Sequence, residues 1–146
     1  MIYLHLIFGI ILGKITGNYF YAIVGSIIPD IDHLYIIIKN KFFSMKQIID
    51  SMKNEEKYNI RYKTPFVHSF LGLIVFSVII TITNIHNGII FAIGYFSHLI
   101  LDWFDKDEKY YLFPFKIKFE GFLPIWSRTE KKLTIISIII LIFLFI

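Results

Sequence analysis

Five apolar stretches separated by polar segments organise this chain. They cover residues 2–15, 19–38, 66–85, 88–104 and 132–146. At ~1.5 Å per residue, the third and fourth are long enough as helices to cross most of a ~30 Å hydrocarbon core. The first and last are shorter and would span with snorkelling ends, unless the last helix begins near Thr129. The pattern predicts four or five membrane helices.

The two long polar segments have patterns of their own. In residues 39–65, apolar side chains recur at steps of three and four, which predicts a short amphipathic helix in the membrane interface. These side chains are Phe42, Met45, Ile49 and Met52. Residues 110–126 are rich in aromatics, ending at Trp126, which is typical of a lid or hairpin at headgroup level. The alternation at residues 115–119 favours a strand pair there.

Composition places the chain among membrane proteins. Of its 146 residues, 56% are hydrophobic and 18% are charged, against roughly 25% charged in soluble domains. This excludes intrinsic disorder, and a soluble globule of this size would expose too much apolar surface. We therefore predict an all-α fold: one membrane-embedded domain over residues 1–146, a small polytopic helix bundle. The chain has no cysteine, so any metal must be held by His, Asp, Glu or backbone oxygen.

Basic residues are concentrated in the two long polar segments. Residues 39–65 contain seven Lys and Arg, residues 105–132 contain seven more, and the turn at residues 84–88 contains none. By the positive-inside rule, both long segments and the N-terminus are cytoplasmic in a multi-pass protein of the inner membrane. The net charge of +4 thus indicates topology, not a nucleic-acid partner.

On this topology, ionisable residues of four apolar stretches lie at one membrane depth, near the cytoplasm. Such groups are costly within a membrane and are functional by default. The converging residues are His5, Asp30, Asp32, His33, His68, His98 and Asp102. His86 lies in the opposite turn, where it is expected to be solvated.

Two local motifs give these residues ligand geometry. His98 and Asp102 are four residues apart, so on a helix they share one face and can bind zinc, or alternatively form a plain hydrogen-bonded pair. Pro29 is expected to break the second helix, after which Asp30 and His33 share a face of the restarted turn. Asp32 faces elsewhere and either binds a second ion or orients a ligand histidine. The alternative for this motif is a hydrated helix end.

The other candidate site residues have weaker local motifs, and they are included mainly because they converge with the residues above. His68 precedes Ser69, whose hydroxyl is expected to cap a helix, and His5 is either a ligand or a residue that snorkels to the interface. Arg61 and Lys63 flank the site and are candidate substrate-binding residues for a phosphate, or else simply cytoplasmic positive charges. The acidic run at residues 105–108 is expected to be a solvated loop.

Together these motifs resemble the membrane-bound metal-dependent hydrolase family of YdjM/YbcI-like inner-membrane proteins. The resemblance spans about residues 1–126 and rests on His5, residues 25–33, 67–69, 94–102 and 112–115. It departs at residues 63–65, Lys-Thr-Pro, where many relatives carry His-Arg-Gly and where Arg61 is the nearest substitute. The resemblance implies a metal site more firmly than it implies a reaction.

The leading hypothesis is a metal-dependent hydrolase that acts on a lipid or other phosphoester at the cytoplasmic membrane interface. The cofactor is expected to be one or two divalent ions, with zinc preferred by the His-rich donor set. Asp32 would be the general base or would orient a ligand. The expected metal ligands are His5, Asp30, His33, His68, His98 and Asp102. The expected partner is membrane lipid.

Two non-enzymatic alternatives stay open. In the first, the metal only clamps the helices together in a closed site with four protein ligands. In the second, the chain is a small transporter or proton relay, which needs polar residues across the whole membrane. The outer halves of the apolar stretches, such as residues 74–80, contain almost none, so the transporter ranks last.

Overall fold

A computed structural model describes residues 2–124 and 127–146 as an all-helical fold. Trp126, the last residue of the predicted aromatic segment, lies outside this range. A 3₁₀ turn over Ile28–Asp30 separates α2 from α3. The helices are α1 (Ile2–Thr16), α2 (Tyr19–Ile27), α3 (Ile31–Lys39), α4 (Met45–Lys53), α5 (Glu55–Tyr58), α6 (Phe70–Thr83), α7 (Ile85–Trp103) and α8 (Arg128–Phe145).

Polar caps begin the main helices where the sequence changes from polar to apolar. The Ser69 hydroxyl accepts a hydrogen bond from the Gly72 amide at 3.1 Å, which confirms its predicted capping role. Asn84 ends α6 and caps α7 by accepting from the Asn87 amide at 3.1 Å. Asn87 in turn accepts from the Asn18 side chain at 3.0 Å, so the starts of α2 and α7 are tied together.

Helix α7 is the central element, and it contacts α1, α2 and α6. Its crossing with α2 is close because glycines lie on both sides. A Cβ atom at Gly25 would collide with the Phe91 carbonyl oxygen, and one at Gly94 would lie 2.6 Å from the Ala22 carbonyl oxygen. This close approach brings the end of α2 against the second half of α7, where His98 is located.

The helix boundaries differ in part from the predicted stretches. The third stretch gives only 14 residues of helix, about 21 Å at ~1.5 Å per residue, since residues 66–69 form a turn before α6. The last helix begins at Arg128, close to the predicted alternative start at Thr129. Among the described residues, one helical stretch, Tyr19–Lys39, is long and apolar enough to cross a membrane. By this criterion the structure supports one spanning stretch, and not the four or five that were predicted.

The break predicted at Pro29 is confirmed, whereas the strand pair predicted at residues 115–119 is not. No regular strand forms within the described ranges, and two isolated bridges join Asp105 to Leu123 and Lys109 to Phe119. The segment packs instead on the helices. The Phe70 amide donates to the Tyr111 carbonyl oxygen at 2.9 Å, and the Tyr111 hydroxyl donates to the Leu99 carbonyl oxygen at 3.0 Å. These bonds to α6 and α7 replace those of a partner strand.

The predicted amphipathic helix is present as α4. Its buried residue is Ser51, whose hydroxyl lies 2.7 Å from the buried Tyr62 hydroxyl. This bond attaches α4 to the loop that leads to His68. Location of α4 in the membrane interface stays a prediction.

Candidate metal centre

The predicted ligands converge from four parts of the fold. Helix α1 contributes His5, the 3₁₀ turn and α3 contribute residues 30, 32 and 33, the turn before α6 contributes His68, and α7 contributes His98 and Asp102. Three overlapping sets have ligand atoms within 4.8 Å of one another: His5, Asp30 and His98; Asp30, His33 and His68; and His68, His98 and Asp102. The predicted convergence of these residues is therefore present in the structure, while their common membrane depth stays a prediction.

The most buried set has the spacing of a tetrahedral metal site. His68 Nε2 and His98 Nε2 each lie 3.5 Å from the same atom, Asp102 Oδ2. Ligands bonded to one tetrahedral zinc ion at ~2.1 Å are about 3.4 Å apart. Each of the three side chains is at most 2% exposed. These side chains need only small movements to bind an ion.

Polar contacts on the far side of both imidazole rings leave the facing nitrogens free. His98 Nδ1 lies 2.8 Å from the Ser26 carbonyl oxygen, which can only accept, so this nitrogen carries the proton. His68 Nδ1 lies 3.1 Å from Asp32 Oδ2, a close contact with a carboxylate that lacks the geometry of a hydrogen bond. His68 Nε2 and His98 Nε2 are buried and have no hydrogen-bond partner among the described residues. Buried nitrogens with free lone pairs are the donors that a divalent ion requires.

His5 and Asp30 extend the set. His5 Nε2 lies 3.2 Å from Asp102 Oδ1, and its ring stacks on that of His98 with 3.8 Å between centroids. His5 Nδ1 and Asp30 Oδ2 are buried without a hydrogen-bond partner in the described part of the chain. His5 is therefore buried within the centre and does not snorkel to the interface. Its unpaired nitrogen and the Asp30 carboxylate fit a metal-binding role.

Asp32 lies behind two of the candidate ligands. Its Oδ1 is 2.9 Å from His33 Nδ1, and its Oδ2 is 3.1 Å from His68 Nδ1. Oδ2 also accepts a hydrogen bond from the Thr64 amide at 2.7 Å. With both oxygens engaged, Asp32 is placed to orient the two imidazole rings, one of the three roles predicted for it.

Lys63 lies in a different environment from the substrate contact that was predicted. Its ammonium is 2.9 Å from Asp102 Oδ2, 2.9 Å from Asp105 Oδ2 and 3.6 Å from Asp107 Oδ2. Although burial opposes its charge, Asp102 and Asp105 raise the pKa of Lys63 well above its usual value. Lys63 is thus a buried cation paired with carboxylates, not a free phosphate contact.

The acidic run after α7 is also only partly the solvated loop that was predicted. Asp105 is buried, and burial raises the pKa of its carboxyl to about 6. The buried Lys109 donates to the Asp105 carbonyl oxygen, and burial together with the charge of Lys63 lowers the pKa of Lys109 to about 8. The available sequence signal was the position of Asp105, close to one helical turn after Asp102.

A polar cavity of about 1010 Å³ opens beside this charged group. Its lining includes Arg61, Lys63, Asp107 and Glu55. Arg61 is exposed and lies 3.3 Å from Glu108, so it keeps an accessible charge at the cavity. Burial and the nearby Asp107 raise the pKa of Glu55 to about 7. Because Lys63 lines the cavity and contacts Asp102, the cavity lies next to the candidate centre.

His86 is separate from the centre, as predicted. It is exposed in the first turn of α7, twelve residues before His98, which is about 18 Å along a helix at ~1.5 Å per residue. It therefore offers a matched control for substitutions of the buried histidines.

One comparison with known proteins matches nearly the whole chain. The family model described as YdjM inner membrane protein matches residues 4–146. The chain belongs to this family. No curated protein and no solved structure matches the chain.

Membership in the YdjM inner membrane protein family agrees with the surface of the fold. Large apolar side chains are exposed along α6 and α8, where water would be an unfavourable neighbour. On α6 they include Ile74, Val78, Ile79 and Ile82. The matched range contains all seven residues of the candidate centre. The family match says nothing about their chemistry, which rests on the geometry above.

Proposed function

We propose that the chain is a membrane-bound metal-dependent hydrolase of a lipid phosphoester. One observation carries the proposal: buried His68 and His98 direct unpaired imidazole nitrogens at one oxygen of buried Asp102 with the spacing of a zinc site. Unpaired donors are costly to bury, and a bound cation would remove that cost. The His-rich set favours zinc over magnesium or calcium.

Each residue of the centre has a distinct part in this proposal. His68, His98 and Asp102 would hold the ion, with His5, Asp30 and His33 completing its surroundings or holding a second ion. A bound zinc ion would lower the pKa of a water molecule and polarise a phosphoryl oxygen. Asp32 would orient His33 and His68, and Arg61, which lines the polar cavity, would pair with a phosphate.

Solvent reaches the candidate centre more readily from the side of His33 than from the side of α1 and α7. The His33 side chain is 18% exposed, whereas the histidines on α1 and α7 are at most 1% exposed. Together with the adjacent polar cavity, this favours a substrate with a phosphate headgroup in water and its chains in lipid. We propose that several helices are membrane-embedded, with the N-terminus and both long polar segments cytoplasmic, as the basic residues predict.

Phosphate release by the purified, zinc-loaded protein tests this function. Suitable substrates are vesicles with phosphatidic acid, vesicles with an isoprenoid phosphate, and a soluble phosphoester as the comparison. We expect release from a lipid substrate, its loss in His98→Ala, and unchanged release in His86→Ala. A protein that binds zinc through these residues and hydrolyses none of the three would contradict the proposal.

A structural metal site is the second candidate, and burial is the observation that favours it. The side chains of His5, His68, His98 and Asp102 are each at most 2% exposed, as expected for a closed site with four protein ligands. In that case the metal joins α1 and α7 to the turn before α6. Metal removal would then lower the melting temperature while no substrate is turned over.

A further inference from the structure

Lys63 contacts a candidate metal ligand, Asp102, through the same oxygen that faces the histidines. Asp102 Oδ2 lies 3.5 Å from each of the two free imidazole nitrogens and 2.9 Å from the Lys63 ammonium. One carboxylate oxygen is therefore shared between the candidate metal centre and a lysine that is itself buried.

The charges around Lys63 do not balance within this group. Three carboxylates, those of Asp102, Asp105 and Asp107, lie within 3.6 Å of one ammonium. Lys109, the other buried lysine nearby, donates to a backbone carbonyl oxygen of the same segment. Asp105 Oδ1 is buried and has no hydrogen-bond partner among the described residues. Asp102 and Asp105 are buried and the Asp107 side chain is 20% exposed, and carboxylates grouped in this way normally require a metal ion or an equivalent positive charge.

We propose that the Lys63 ammonium occupies the position of a second cation beside the metal centre. In this role Lys63 is a positioning residue: it holds Asp102 toward the histidines and excludes a further divalent ion from the three carboxylates. The inference rests on the proposed metal centre, but it concerns a set of oxygen ligands that shares only Asp102 with that centre. Without the ammonium, Asp102, Asp105 and Asp107 form an all-oxygen set, which suits Mn²⁺, Mg²⁺ or Ca²⁺ more than zinc.

Manganese binding to a Lys63→Gln variant tests the proposal. The protein is first saturated with zinc, and the Mn²⁺ bound per chain is then measured by electron paramagnetic resonance. We expect one equivalent more in Lys63→Gln than in the wild type, and no gain in Lys63→Arg, which keeps the charge. The double variant Lys63→Gln/Asp105→Asn should lose the extra equivalent, because a carboxylate of the new site is removed.

Each possible result of the Mn²⁺ measurement either supports or overturns the proposal. A Lys63→Gln variant with no additional Mn²⁺, or a Lys63→Arg variant that gains it, overturns the proposal. If Lys63→Gln folds only poorly, Mn²⁺ should raise its melting temperature more than that of the wild type, and a lack of any such rescue counts against the proposal. Failure of the hydrolase hypothesis looks different: the wild type then binds no zinc or releases no phosphate, whatever Lys63→Gln does with Mn²⁺.

Discussion

Asp32 contacts two candidate ligands at once, one through each of its carboxylate oxygens. Its oxygens lie 2.9 Å from His33 and 3.1 Å from His68, and the Thr64 amide holds Oδ2 at 2.7 Å. The sequence placed Asp32 off the face shared by Asp30 and His33, which left three roles open: binding a second ion, orienting a ligand or acting as the general base. These contacts favour the orienting role, and the loop that brings Thr64 to Asp32 is not visible in local spacing.

Asp32→Asn should therefore weaken zinc binding without abolishing it. Loss of an orienting carboxylate typically costs 10–100-fold in metal affinity. A competition titration with a chromophoric chelator measures this directly. Asp50→Asn is the matched control, since Asp50 pairs with Tyr58 and Lys57 outside the centre. Equal affinity in Asp32→Asn and wild type would show that Asp32 has no orienting role.

We expect Glu55 to make the free energy of unfolding depend on pH. Its folded pKa is raised from 4.5 to about 7 by burial and by Asp107, so the folded state binds more protons than the unfolded state between these values. Stability from this group is therefore greatest below pH 4.5 and is lost as the pH rises through 7. The fall in melting temperature from pH 5 to pH 8 should be smaller in Glu55→Gln than in wild type. An identical fall in both proteins would contradict this assignment.

At the scale of elements, periodicity and turn residues predicted most of the helices. The break at Pro29, the start of α8 and the amphipathic α4 all follow from local patterns. The early start of α7 at Ile85 was missed because Asn84 both ends α6 and caps α7, which the apolar stretches do not reveal. The strand pair was misassigned because alternation alone does not supply a partner strand. Phe119 pairs with Lys109 in an isolated bridge, and Tyr111, outside the alternating residues 115–119, bonds to α6 and α7.

The crossing of α2 and α7 should not tolerate a side chain at Gly25. A Cβ there collides with the Phe91 carbonyl oxygen, so Gly25→Ala must separate the two helices. We expect a loss of about 1–3 kcal/mol, typical of overpacking. We also expect weaker zinc binding, because Ser26 would move away from His98. Thermal unfolding and a chelator titration measure both effects. Ile89→Ala, on the exposed side of α7, should change neither, and equal behaviour of the two variants would refute the role of the crossing.

The whole molecule combines a buried polar centre with an apolar exterior. The convergence of the ligands could be predicted because the positive-inside rule placed the ionisable residues of four apolar stretches near the same side of the membrane. The pairing of Lys63 with three carboxylates could not, since it joins residues about 40 positions apart through a loop without a recognisable motif. The sequence therefore indicated which residues meet in the centre more fully than it indicated the charges beside it.

Cysteine labelling tests the predicted membrane topology. The chain has no cysteine, so single cysteines can be introduced without interference. With Lys53→Cys and Lys116→Cys we expect labelling by an impermeant maleimide only after lysis, and with His86→Cys labelling in intact cells. Labelling at position 86 only after lysis would reverse the orientation.

The metal content of the purified protein tests the central claim most directly. Elemental analysis should find at least one divalent ion per chain in the wild type and in His86→Ala, and none in His98→Ala. The reason is that the first two proteins keep the buried set of His68, His98 and Asp102 intact, whereas His98→Ala removes one of its members. A wild type without bound metal, or a His98→Ala variant with undiminished metal content, would contradict the existence of the centre.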